Sequence, residues 1–84
     1  MNKFLVTIIV PAIEEQFELY IPNNKKVGTI KTYFLKTINE ITNNTFNKNI
    51  NNVVLIDKET GKEYLNNVFV KDTDIKNGSK LIFI

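Results

Sequence analysis

The chain has 84 residues, 43% of them apolar, with six phenylalanines, three tyrosines and a formal net charge of +2; a chain this short buries only about 60% of its unfolded surface, enough for one core and not two. Cysteine and histidine are absent and all eleven Lys/Arg positions are lysine, which excludes disulfide bracing, thiolate nucleophiles, imidazole acid–base work and the bidentate arginine contacts that phosphates and guanines favour. One globular domain over residues 1–84 is expected, in a reducing cytoplasm and without a nucleic-acid partner.

Residues 3–10 read as a first strand, with Phe4, Val6, Ile8 and Val10 on one face and Leu5, Thr7 and Ile9 on the other. The run is short for a signal sequence and rich in β-branched residues, which favours a strand over a leader. Pro11 ends it, and Ala12 to Glu15 form a turn. The next segment, Gln16-Phe17-Glu18-Leu19-Tyr20-Ile21, alternates cleanly and places Phe17, Leu19 and Ile21 inward. Two such runs so close together predict a hairpin.

After Pro22 the apolar period changes to three and four. Val27, Ile30, Phe34, Ile38 and Ile41 make one stripe of an amphipathic helix, with Lys31, Lys36, Thr37 and Glu40 assigned to the opposite side. Asn43 and Asn44 supply its stop. The Asn-rich stretch from Thr42 to Asn52 reads as a loop anchored by Phe46 and Ile50, because asparagine side chains compete for backbone hydrogen bonds.

Val53 to Ile56 is a strand of the buried type. It is followed by a turn over Asp57 to Lys62, with Gly61 free to take a positive φ, and by a short returning strand at Glu63-Tyr64-Leu65. A compact connection runs from Phe69 or Val70 to Ile75. Asn77-Gly78 then turns the chain into a closing strand, Leu81 to Ile84, with Leu81 and Phe83 inward and Ile82 and Ile84 outward. The predicted order is β-β-α-β-β-β: an α+β fold with one helix packed on a mixed sheet of four to five strands.

That order, the helix positions Val27, Ile30 and Phe34, and the ending in which Val70, Ile75, Gly78, Leu81 and Phe83 recur at set spacings resemble the ubiquitin-like, or β-grasp, proteins. Within them the chain is similar to the YukD/EsaB group, small cytoplasmic accessory proteins of type VII (WXG100/ESX-like) secretion systems in Gram-positive bacteria. The stretches that carry this likeness are Phe17 to Ile21, Val53 to Lys62 and Lys71 to Leu81. The resemblance implies a non-catalytic protein that acts through protein partners, with secretion-system components as the expected ones and recruitment to the membrane by a partner rather than by insertion.

Two other function classes compete with this. A sulfur carrier or modifier needs a flexible Gly-Gly end, whereas this chain ends in a strand at Ile84. A β-grasp adaptor with another partner differs only in what it binds. Enzymatic, cofactor and metal sites are not expected: the carboxylate pairs Glu14-Glu15, Asp57-Glu59 and Asp72-Asp74 lie in turns beside lysine, where capping and solvation explain them. Thr60-Gly61-Lys62 lacks the upstream glycine and following helix of a phosphate loop.

The candidate site is therefore a surface. With Phe4, Val6, Leu19, Leu81 and Phe83 turned to the helix, Leu5, Thr7, Ile9, Tyr20, Ile82 and Ile84 share the other side of the sheet. Of these, Leu5, Ile9, Tyr20, Ile82 and Ile84 are expected to bind protein, because contiguous exposed apolar patches mark interaction sites and Tyr20 adds an amphipathic anchor. The bland alternative is that β-branched residues serve strand propensity and are singly exposed. Strand addition at a sheet edge is a second route, and a homodimer could cover the same face.

Overall fold

A computed structural model describes residues 2–46 and 48–84. Strand β1, Lys3–Val10, and strand β2, Glu15–Pro22, pair antiparallel along their full length. Their connection is a 3-10 turn at Pro11–Ile13 closed by Glu14 in the left-handed conformation (φ 53°). Helix α1 spans Val27–Ile41, β3 spans Leu55–Asp57 and β4 spans Lys80–Phe83. The sheet order is β2-β1-β4-β3, with β1 and β4 parallel and the other pairs antiparallel. A central parallel pair requires a crossover, and α1 with the segment after it provides one.

The alternation predicted for β1 and β2 is what the fold uses. Val6, Ile8, Val10 and Ile21 are buried, as are Leu55, Leu81 and Phe83 from β3 and β4. From α1, Val27, Ile30, Phe34, Leu35 and Ile38 close the core. Aromatic rings link the layers: Phe17 meets Phe34 edge-on at 5.7 Å, Phe34 meets Phe83 edge-on at 5.0 Å, and Phe46 stacks on Phe83 at 6.1 Å. Phe46 thus anchors the Asn-rich loop as expected, and Ile50 packs against the same core. Asn43 and Asn44, both with positive φ, end the helix.

The helix departs from its predicted stripe in two places. Lys31, assigned to the solvent side, is only 3% exposed. At about 100° per residue it falls about 40° from Val27 and about 20° from Ile38, inside the apolar stripe rather than opposite it. Ile41, assigned to the core, is 55% exposed, because the last buried residue of the helix is Ile38 and the final turn runs past its packing partners.

The predicted fifth strand is a correction as well. Residues 63–65 make one bridge, Ile56 to Glu63, and the Tyr64 N–H donates to Leu55 C=O at 2.9 Å, but no strand develops. Beyond Tyr64 the backbone leaves the sheet to meet the start of α1: the Val27 N–H donates to Val68 C=O at 2.8 Å and the Gly28 N–H to Asn66 C=O at 2.9 Å. These carbonyls satisfy helix N–H groups that have no partner within the helix, where no side-chain cap is present. The contact also explains Gly28, since a Cβ there would stand 3.1 Å from the Asn66 carbonyl oxygen. The closing strand begins at Lys80, one residue before the predicted start. Past Phe83, Ile84 still exchanges hydrogen bonds with Val54, at 3.1 and 2.8 Å.

Candidate protein-binding surfaces

The register decides which apolar side chains meet on the sheet face away from the helix. Leu5 lies opposite Tyr20, and Ile9 lies opposite Ile82, which in turn lies opposite Ile56. Residues directly across from one another share a face, so Ile9, Ile82 and Ile56 form a row. The Ile84–Val54 pair extends it on the β3 side. Tyr20 is 60% and Ile84 41% exposed, whereas Leu5, Ile9 and Ile82 are half-buried.

The five expected residues do lie on this side, in two groups. Between them runs a polar row, Glu18–Thr7–Lys80, fixed by the pairings of Thr7 with both neighbours. Leu5 and Ile9 are about 13 Å apart along β1 at about 3.3 Å per residue. One group is Leu5 and Tyr20, with Lys3 Nζ 6.0 Å from the centre of the Tyr20 ring. The other is Ile9 and Ile82 with Ile84. Ile56 and Val54 belong to it too, and the sequence reading missed them because an unbroken apolar run such as Val53 to Ile56 carries no alternation to show which residues face out.

A second surface lies at the β2 edge. Phe17, Leu19 and Ile21 of β2 and Ile30, Tyr33 and Phe34 of α1 line a groove of about 370 Å³. Tyr33 is 65% exposed at its rim. The inward alternation of β2 and the helix stripe were each legible in the sequence, but the space left between them depends on how far the helix stands from the edge strand.

The turn carboxylates of Asp57 and Asp74 serve hydrogen bonds of the turns and of Tyr64. Asp57 accepts the Glu59 N–H at 2.7 Å and the Thr60 N–H at 3.2 Å, closing the turn whose Gly61 has φ 76°. Those N–H groups, Glu59 first, hold its carboxyl below the usual range against a smaller opposing effect of burial, with help from the Tyr64 hydroxyl and the charge of Lys62. Asp74 comes from a different turn and meets the same phenol: Tyr64 OH is 2.6 Å from Asp74 Oδ1 and 3.1 Å from Asp57 Oδ2. Burial, reinforced by these two carboxylates, pushes the Tyr64 phenol well above its ordinary range, so it stays a donor. Asp72 does not join them; it belongs to the 3-10 turn Val70–Asp72.

Lys31 is the other buried polar group. Its Nζ donates to Asn66 Oδ1 at 2.7 Å, and burial lowers its pKa, with Glu63 acting in the opposite direction. Among the described residues no group of three or more acidic, histidine or cysteine side chains could hold a metal, and no helix is long and apolar enough to cross a membrane.

No protein-family model and no curated protein matches the sequence. Solved structures are similar in fold. The ubiquitin-like domain of the Arabidopsis thaliana protein At2g32350 superposes with a TM-score of 0.69 at 19% identity, covering 100% of this chain and 78% of that one. The ubiquitin of Caldiarchaeum subterraneum does so with 0.69 at 15% identity, covering 99% and 92%. A chain of the MycP5-free ESX-5 inner membrane complex gives 0.78 at 13% identity, covering all of this chain and 21% of that one. The protein has the ubiquitin-like α+β fold, one helix on a four-stranded mixed sheet.

Proposed function

We propose that the protein is a non-catalytic accessory or regulatory protein of the YukD/EsaB type. It acts by protein–protein contact in a type VII secretion system, presenting the sheet face of Leu5, Ile9, Tyr20, Ile82 and Ile84 to a secretion-system component in the cytoplasm. The observation that carries the reading is the likeness in fold to a chain of the ESX-5 inner membrane complex, over the whole of this chain. The outer sheet face supports it: an aliphatic row continues from Ile9 through Ile82 to Ile56, and Ile84 and Tyr20 are exposed. The non-catalytic part is supported by how the polar side chains are used. The Asp57 and Asp74 carboxylates serve as turn cap and phenol acceptor, and neither histidine nor cysteine is present.

Affinity capture from the native host tests the proposal. The tagged wild-type chain is expected to retain a component of the secretion membrane complex, and Ile9→Ser with Ile82→Ser, at half-buried outer-face positions, is expected to lose it while keeping the wild-type circular dichroism spectrum. Retention of no such component by the wild type, or undiminished retention by the folded variant, would refute the reading.

A further inference from the structure

β2 is an edge strand, and its backbone polarity follows from the ladder. The Asn23 N–H donates to Asn2 C=O at 2.9 Å, which makes that pair a hydrogen-bonded one. Alternation along the β1–β2 register then turns the backbone groups of Glu15, Phe17, Leu19 and Ile21 toward β1. Those of Gln16, Glu18 and Tyr20 point away from the sheet, and among the described residues nothing pairs with them. β2 contains no lysine, and its proline stands at the last position, Pro22. Of the devices that usually blunt an edge, lysine and proline are thus missing from its middle, where Glu18 is the one charge.

We propose that this edge joins two copies of the chain, β2 to β2 and antiparallel, into one continuous sheet, with Leu19 on the two-fold axis. In that register Leu19 faces Leu19 of the second copy, and Phe17 faces its Ile21. The row facing the groove beneath α1 is then wholly apolar, and these are the closer, non-hydrogen-bonded pairs. On the other side of the strand Glu18 stands opposite Tyr20 of the second copy, beside the Lys3 amine that lies over that ring. The two-fold axis makes the contact twice.

Charge favours a copy of this chain as the occupant over an unrelated strand. The edge is acidic at its start, with Glu14 and Glu15, and basic after its end, with Lys25 and Lys26. An antiparallel copy brings Glu14 and Glu15 to the end of its mate's β2, where the chain turns into Lys25 and Lys26, whose backbone is paired with Val70 and Phe69. Its segment 14–26 has the order of charges and the apolar alternation that the edge calls for. A register centred on Glu18 would instead set Glu18 against itself, a destabilising pair. In the chosen register Gln16 faces Pro22, whose carbonyl accepts a hydrogen bond but which has no N–H to return.

Sedimentation velocity from low-micromolar to millimolar protein, together with amide hydrogen exchange, tests this. The wild type is expected to dimerise, and the Glu18 and Tyr20 amides to become protected as concentration rises, while the Leu19 amide, already bonded to β1, is protected throughout. Glu18→Lys sets lysine beside Lys3 and is expected to weaken the dimer by about tenfold or more; adding Lys3→Glu restores it. Both positions are exposed, and circular dichroism checks that the monomer still folds. A monomer at millimolar concentration would overturn the proposal, whether or not β2 then captures a strand from another protein. So would a dimer that ignores Glu18→Lys or is not recovered by the charge exchange.

Discussion

The two edges of this sheet are built on opposite principles. At one edge, β3 is three residues long, its outer side is bridged by Glu63, and the adjoining turns are tied through Tyr64 to Asp57 and Asp74. At the other, β2 has eight residues, full register with β1, an outer rim of unpaired backbone, and a groove beside it. The first edge pairs its Leu55 carbonyl with the Tyr64 N–H and its Asp57 N–H with the Lys62 carbonyl. Among the described residues the second leaves its outward backbone groups unpaired, so the difference separates a closed border from one open to strand pairing.

Substitutions at the closed edge should therefore cost stability, and substitutions at the open edge should not. The largest effect is expected from Tyr64→Ala, which removes a side chain that is 2% exposed and the shared donor of two carboxylates; a loss of about 3–5 kcal/mol in urea unfolding is predicted. Tyr64→Phe keeps the ring and removes only the hydroxyl, and should cost about 1–3 kcal/mol.

The same variant has a pH signature. The Asp57 carboxyl titrates lower in the fold than in the unfolded chain. Its stabilising contribution is present above the ordinary carboxylate range near about pH 4 and is lost as pH falls through the folded value. In Tyr64→Phe, NMR titration should show the Asp57 pKa moving up toward the ordinary range. Tyr64 is displaced the other way: its contribution is complete below about pH 10 and is lost as pH rises beyond that, so the variant should show a shallower alkaline decline.

Gly61→Ala comes next. The site has open space around it and φ of +76°, so the cost is conformational alone, about 1 kcal/mol by thermal or urea unfolding. The smallest effect is expected at the open edge, where Glu18→Thr should change monomer stability by less than about 0.5 kcal/mol. A loss at Glu18 as large as that at Tyr64 would remove the contrast between the edges.

The open edge was the more legible half. Period-two alternation from Gln16 to Ile21 placed the strand to within one residue at each end and gave its inward residues, and the helix stripe from Val27 to Ile38 was read from its spacing. The closed half resisted reading because its order comes from contacts between distant segments. Tyr64 enters the core through carboxylates on two separate turns, and residues 66–68 leave the sheet to cap a helix about forty positions earlier in the chain. Lys31 illustrates the same limit: its amine is buried because Asn66 waits there as an acceptor, a partner that helical periodicity does not encode. Lys31→Met, which keeps the aliphatic stem, should accordingly cost less than Lys31→Ala.

On the outer face, the predicted residues lie where alternation put them, and the polar row through Thr7 that divides them emerges only from the pairing with Glu18 and Lys80. Tyr20 belongs to both proposed surfaces, since its side chain is on the outer face and its backbone N–H points off the edge.

That makes Tyr20 the place to test whether the sheet, and not the helix, is the working surface. A photo-crosslinking residue introduced at Tyr20 and, separately, at Lys36 on the exposed side of α1 would be activated in the native host. Adducts at position 20 containing a secretion-complex component or a second copy of the chain, with none at position 36, are the predicted result; protein adducts at 36 and none at 20 would contradict it.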